Sequence, residues 1–129
     1  MAVITPEAFT DLLVRLHRDY GVPLLITENG AVFGDVPGPD GRVRDEHRVR
    51  YIESHVRAVQ RAIELGADVR GYCHWSLLDN FEWALGYGQR FGIVHVDYAT
   101  LERTVKDSGR YYSRIARANT LVAPEEVPV

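Results

Sequence analysis

A single cysteine, a single methionine and no long apolar run mark this sequence first by what it has little of. Cys73 alone can neither close an intrachain disulfide nor build a cysteine metal site, so a reducing compartment is permitted. No stretch approaches the roughly 20 apolar residues of a membrane span. The opening residues Met1-Ala2-Val3-Ile4-Thr5-Pro6-Glu7 lack the basic-then-apolar order of a secretory leader, and a cytoplasmic location is the expectation. Fifteen Lys and Arg stand against 18 Asp and Glu, a net charge of −3. No basic block stands out, which argues against nucleic acid or an anionic membrane as partner. The sequence also has no internal repeat and no low-complexity segment.

What is there is an ordinary globular composition. The 129 residues are 46% hydrophobic, enough for a single domain or a piece of one. Thr5 and Pro6 suit a helix start, and Glu7 sits well against its positive end. Phe9, Leu12, Leu13, Leu16 and Tyr20 then form one apolar stripe, with Gly21 as a stop. Val22 to Thr27 is short and apolar on both faces, as a buried parallel strand is, and it ends abruptly at Glu28-Asn29-Gly30. Residues 31–40 hold two glycines and two prolines and read as a loop.

Asp45 can cap a long second helix whose buried stripe is expected at Val49, Ile52, Val56, Val59 and Ile63. Arg42, Arg44, Arg48 and Arg50 then form a solvated entrance, His17, His47 and His55 are solvated, and Gly66 ends the helix. The run Val69 to Leu78 suits a second strand and stops at Asp79-Asn80. Cys73 is expected as a small buried hydrophobe and His74 as a packed, hydrogen-bonded core residue. Two strands joined through one long helix make a parallel β-α-β unit. Residues 92–98 and 101–105 read as a hairpin. Asp107 or Ser108 caps a last helix with Tyr112, Ile115 and Ala116 on one side, and a frayed tail follows from Thr120.

Reacting groups in α/β folds collect where parallel strands give way to loops. Glu28 stands at such a point, and the second strand delivers Trp75 and Ser76 near its own end. The loop beyond adds Asp79, Asn80, Glu82 and Trp83. Adjacent strands lie about 4.8 Å apart, so both sets open onto one patch. Carboxylates among tryptophans suit a sugar, whose apolar faces stack on rings and whose paired hydroxyls donate to carboxylates.

The wording of these segments is specific. Ile26 to Gly30 reads ITENG and Trp75 to Trp83 reads WSLLDNFEW, followed by Gly86-Tyr87 and Arg90-Phe91-Gly92. Together with Asp97-Tyr98, Arg103 and Lys106-Asp107-Ser108, they closely resemble the C-terminal portion of family 1 glycoside hydrolases, the β-glucosidase family. The resemblance runs to about Asn119. It implies an α/β fold that is part of a (β/α)8 TIM barrel. The part comprises the last two β/α units and the preceding helix, with a C-terminal hairpin and helix over residues 1–119. It further implies that Glu28 is the catalytic nucleophile, that Trp75, Glu82 and Trp83 line the glycone subsite, and that Phe91 borders it. Relatives that take phosphorylated sugars lack the glutamate at position 82, so a plain β-glucoside, galactoside or fucoside is the implied substrate.

The resemblance implies no metal and no cofactor. The partner acid/base glutamate lies, in that family, in an Asn-Glu-Pro motif that these residues do not contain. The expected activity is therefore that of the complete enzyme, and this chain alone is expected to be deficient. Open strand edges give the alternative: a non-catalytic carbohydrate-binding or structural piece that self-associates or is complemented by the N-terminal portion of a barrel.

Overall fold

The computed structural model describes residues 4–124. Helix α1 (Pro6–Tyr20) leads into strand β1 (Leu24–Asn29), helix α2 (Glu46–Glu64) and strand β2 (Val69–His74). A 3₁₀ turn at Trp83–Leu85 precedes strands β3 (Val94–Val96) and β4 (Arg103–Val105), and helix α3 (Asp107–Ala118) closes the order. Strands β1 and β2 pair in parallel, as a β-α-β connection demands, and β3 and β4 form the expected antiparallel hairpin. A parallel bridge from Leu78 to Val94 fastens that hairpin to the chain leaving β2. None of the described helices is long and apolar enough to cross a membrane.

Two apolar clusters hold the elements. Leu13, Ile26, Val59, Ala62 and Ala67 bring α1 and α2 onto one face of the β1–β2 sheet. Ile52, Ile93, Tyr111 and Ile115 join α2 to α3 and the hairpin. The helices thus cover a single face of a sheet whose strands are apolar on both. Leu25, on the other face, remains 62% exposed.

Several expectations shift. The buried side of α2 is turned by about one residue from the predicted stripe and runs through Arg48, Ile52, His55, Val59 and Ala62, while Ile63 is exposed. Arg48 is therefore not part of a solvated entrance but fully buried, and His55 is buried against the Tyr51 ring, with centroids 3.9 Å apart. In α1, Leu13 is buried but Leu12 and Tyr20 face outward. Cys73 is exposed rather than buried, because its face of the sheet has no cover. His74 is packed against the Tyr112 ring, as expected. Burial first, and then the nearby Arg48 charge, push its pKa down to about 4. Beyond α3, Leu121 and Val122 pack on the second cluster, and the Tyr111 hydroxyl donates to the Val122 carbonyl at 2.9 Å. Residues 125–129 of the expected tail lie outside the described residues.

Candidate active site

The register of two short strands decides where Glu28 points. Leu25 pairs with Gly71, where a Cβ would stand 2.4 Å from a Leu25 methyl carbon, so both belong to the open face. Alternation then puts Ile26 and Tyr72 on the helix-covered face and Cys73 on the open one. In an unbroken strand Glu28, two residues beyond Ile26, would share the covered face and be driven into the core. It does not, because the next pair is Asn29 with His74: three steps on β1 match two on β2. That extra residue is a bulge, the usual device for re-aiming a side chain. It returns Asn29 to the covered side, where its Oδ1 accepts a 2.8 Å bond from the Tyr72 hydroxyl. It also leaves Glu28 on the open face, exposed. Among the described residues the Glu28 carboxylate has no hydrogen bond or ion pair, so it serves neither as a helix cap nor as a salt-bridge partner.

Trp75 is locked beside it. The Trp75 amide donates to the Asn29 carbonyl at 3.0 Å, and a Cβ on Gly30 would stand 1.8 Å from the Trp75 carbonyl oxygen. Only glycine lets the two strand ends approach this closely. The Trp75–Ser76 peptide is cis. Trp75 is 37% exposed and, among the described residues, its indole has no ring contact or hydrogen bond.

Glu82 and Trp83 sit on a separate projection. The Glu82 amide donates to the Gly86 carbonyl at 2.7 Å and the Leu85 amide returns to the Glu82 carbonyl at 2.8 Å, making a tight loop. A ladder of rings, Phe81 on Tyr87 and Tyr87 on Tyr98, braces its base. Glu82 is half-buried and Trp83 is 83% exposed, and neither side chain bonds to another described residue. Phe91 lies next to Ser76, whose amide donates to the Phe91 carbonyl at 3.2 Å, and it lines a groove with Phe9 and Tyr51. The structure thus joins the strand ends that carry Glu28 and Trp75 through Asn29 and Gly30, and among the described residues no side-chain bond connects Glu28 or Trp75 to Glu82, Trp83 or Phe91.

Asp79 and Asn80 leave the patch altogether. Asp79 is buried, with Lys106 Nζ 2.8 Å and Arg90 Nη1 2.6 Å from its oxygens and the Gly92 amide donating at 3.0 Å. Asn80 donates back to Ser76 Oγ and the Leu78 carbonyl. Lys106 also reaches Asp35 at 2.5 Å, and Arg48 donates to Asp35 and Asp45 at 2.6 Å each. Asp45, expected to cap α2, instead accepts from the amide and hydroxyl of Ser108 at the start of α3. Three cations and three carboxylates thereby tie the ends of β1 and β2 to the starts of α2 and α3. Burial raises the Asp45 pKa, whereas at Asp79 the same burial is outweighed by Lys106 and Arg90 and the net shift is downward.

Apolar spacing alone does not reveal this network, although the sequence carries one signal for it. Arg48 is spaced four and seven residues from Ile52 and His55, on the inner face of α2. Among the described residues no cluster of three or more His, Cys, Asp or Glu side chains could hold a metal ion.

The matches to known proteins cover nine tenths or more of the chain. The family model for Glycosyl hydrolase family 1 matches residues 1–121. Beta-glucosidase A of Acetivibrio thermocellus is 49% identical over 118 residues, covering 91% of this chain but 26% of the relative. The solved family 1 β-glucosidase of Thermotoga maritima superposes with a TM-score of 0.91 at 48% identity, over 93% of this chain and 27% of the other. The same enzyme in complex with deoxynojirimycin gives a TM-score of 0.90 over 92% of this chain and 27% of the other, again at 48% identity. The chain spans about a quarter of the length of the relatives it matches.

Proposed function

The chain belongs to glycosyl hydrolase family 1 and folds as part of that family's TIM barrel, and from this premise we propose that it supplies the nucleophile half of a retaining β-glucosidase site. The supporting observation is the bulge near the end of β1, where Glu28 is exposed with no side-chain partner among the described residues and the next residue, Asn29, accepts from the Trp75 amide. The carboxylate has no ion pair among the described residues and stands at the C-terminal end of a parallel strand, the position from which such barrels do their chemistry.

In this reading Glu28 attacks the anomeric carbon of a β-glucoside while a second carboxylic acid protonates the departing oxygen. A covalent glycosyl ester on Glu28 results. The second group, by then a carboxylate, deprotonates a water that cleaves the ester and restores Glu28. Retention needs the two carboxyl groups about 5–5.5 Å apart, and the acid comes from outside these residues. Trp75 stacks on the sugar, with Glu82, Trp83 and Phe91 closing the glycone side once the rest of a barrel surrounds them. That relatives in this fold bind sugar-like inhibitors such as deoxynojirimycin supports a saccharide ligand.

The test is a graft. Residues 1–121 replace the matched quarter of the Thermotoga maritima enzyme, and hydrolysis of a chromogenic β-glucoside is followed. The graft should turn over substrate, and Glu28→Gln should lower kcat by at least 10³-fold, whereas the 129-residue chain alone should show no turnover. An active graft indifferent to Glu28→Gln, or turnover by the chain alone, refutes the reading.

A further inference from the structure

Glu82 and Trp83 stand on the projection that follows β2, with no side-chain bond to another described residue. Trp83 also holds a φ of 41°, a left-handed conformation that a bulky residue keeps only when its surroundings impose it. Bonds from the Glu82, Leu85 and Gly86 amides to the Gly86, Glu82 and Trp83 carbonyls fix the shape of the tip but not its tilt. Tilt is set at the root, where the chain leaves at Asn80 and returns at Arg90. There Arg90 donates to Asp79 at 2.6 Å and to the Val96 carbonyl at 2.9 Å. Tyr98 adds the apolar part of the root. Its half-buried ring lies 4.7 Å from the Arg90 guanidinium and tilts against the Tyr87 ring at 4.6 Å between centroids. Its hydroxyl donates a long bond, 3.5 Å, to the Asn80 carbonyl. Tyr98 therefore touches both legs of the projection. Through Tyr87, whose ring meets Phe81 at 5.4 Å, it also reaches the residue before Glu82. A built turn presents it: Asp97 Oδ1 accepts from the Ala99 and Thr100 amides at 2.8 and 3.1 Å.

We propose that Tyr98 is a positioning residue for sugar recognition, setting through Arg90 and Tyr87 the angle at which Glu82 and Trp83 meet the glycone. The inference deepens the functional reading and rests on it in one respect, that Glu82 contacts the sugar. A small rotation at the root is magnified at the tip, and a misplacement of about 1 Å in a substrate-positioning group can cost on the order of 10²-fold. The ring carries the role, since its contacts with Arg90 and Tyr87 are close while the hydroxyl bond is long. Phenylalanine at this position keeps those contacts and leucine does not.

The experiment is a double-mutant cycle between Tyr98 and Glu82, made in the graft of residues 1–121 into the Thermotoga maritima enzyme. Tyr98→Leu should lower kcat/KM for a chromogenic β-glucoside at least tenfold, mainly through KM, and Tyr98→Phe less than twofold. With Glu82→Gln already present, Tyr98→Leu should cost less than threefold more, because its effect passes through the tip. An equal loss in both backgrounds marks a merely structural role and overturns the proposal. So does a Tyr98→Leu graft as active as its parent, or a Tyr98→Phe graft as damaged as Tyr98→Leu. Should Tyr98→Leu fail to fold, Tyr87→Leu cuts the same ladder at an exposed residue, and additivity with Glu82→Gln there overturns the proposal equally. A second readout is independent of activity. In the 129-residue chain, amide exchange at Leu85 and Gly86 should quicken at least tenfold on Tyr98→Leu, with exchange in α2 unchanged. An inactive graft, or one indifferent to Glu82→Gln, sinks the sugar reading, and exchange then decides alone: quickened rates support the role of Tyr98 and unchanged rates overturn it.

Discussion

Two groups of charged residues lie only a few positions apart in sequence and are treated in opposite ways. Asp35, Asp45, Asp79, Arg48, Arg90 and Lys106 form a mostly buried network in which every carboxylate meets at least one cation. Glu28 and Glu82 have no side-chain partner among the described residues. The contrast shows that a motif rich in charge divides its labour. Asp79 of WSLLDN holds loops together, while Glu82, three residues further, is left free. Charges that are buried and paired are costly to disturb, and charges left unpaired at a strand end are available for chemistry.

The sharpest way to break this contrast is to delete the buried cation. Lys106→Met strips both Asp35 and Asp79 of a charge partner in a dry setting and should destabilise the chain by about 3–5 kcal/mol, read as a lower urea midpoint at constant slope. A loss below about 1 kcal/mol would show that the network does not hold the loops.

Acid should act next. His74 titrates at about 4 in the folded chain against 6.5 unfolded, so between those values the unfolded state binds more protons and stability falls as pH falls. The whole effect amounts to about 3 kcal/mol, and His74→Phe should flatten that part of the profile. Asp79, held below the ordinary carboxylate range, adds a further loss as pH drops through its folded value.

Tyr72→Phe probes the junction between the two regions. It removes the bond to Asn29 that keeps the bulge in register, at a cost of about 1 kcal/mol. Amide exchange at residues 27–30 should quicken with it; unchanged exchange would mean that the bulge holds itself. The smallest effect is expected where the contrast predicts none. Glu28→Gln and Glu82→Gln should each leave stability within about 0.5 kcal/mol of the parent, and a larger loss would mean that these carboxylates have structural duties.

The order of helices and strands was legible because each rests on local signals: Pro6 and Gly21 bracketing α1, the apolar run before Glu28, the turn at Ala99-Thr100. The motif words carried the family. The buried side of α2 lies one residue from its apolar stripe because Arg48 and His55, polar by type, occupy buried positions that apolar spacing does not mark. Cys73 is exposed for the converse reason: it is an apolar residue on a face that no described residue covers.

By itself the sequence determined which residues stand at the strand ends, since capping, alternation and turn chemistry act over a few neighbours. Only the tertiary structure decided which of its charges are spent. Pairing Asp79 with Lys106, or turning Glu28 outward through a bulge against β2, depends on segments some 25 to 45 positions apart meeting in one register. Chain-local preferences do not encode that meeting, and it is the burial created there that separates a structural carboxylate from a free one.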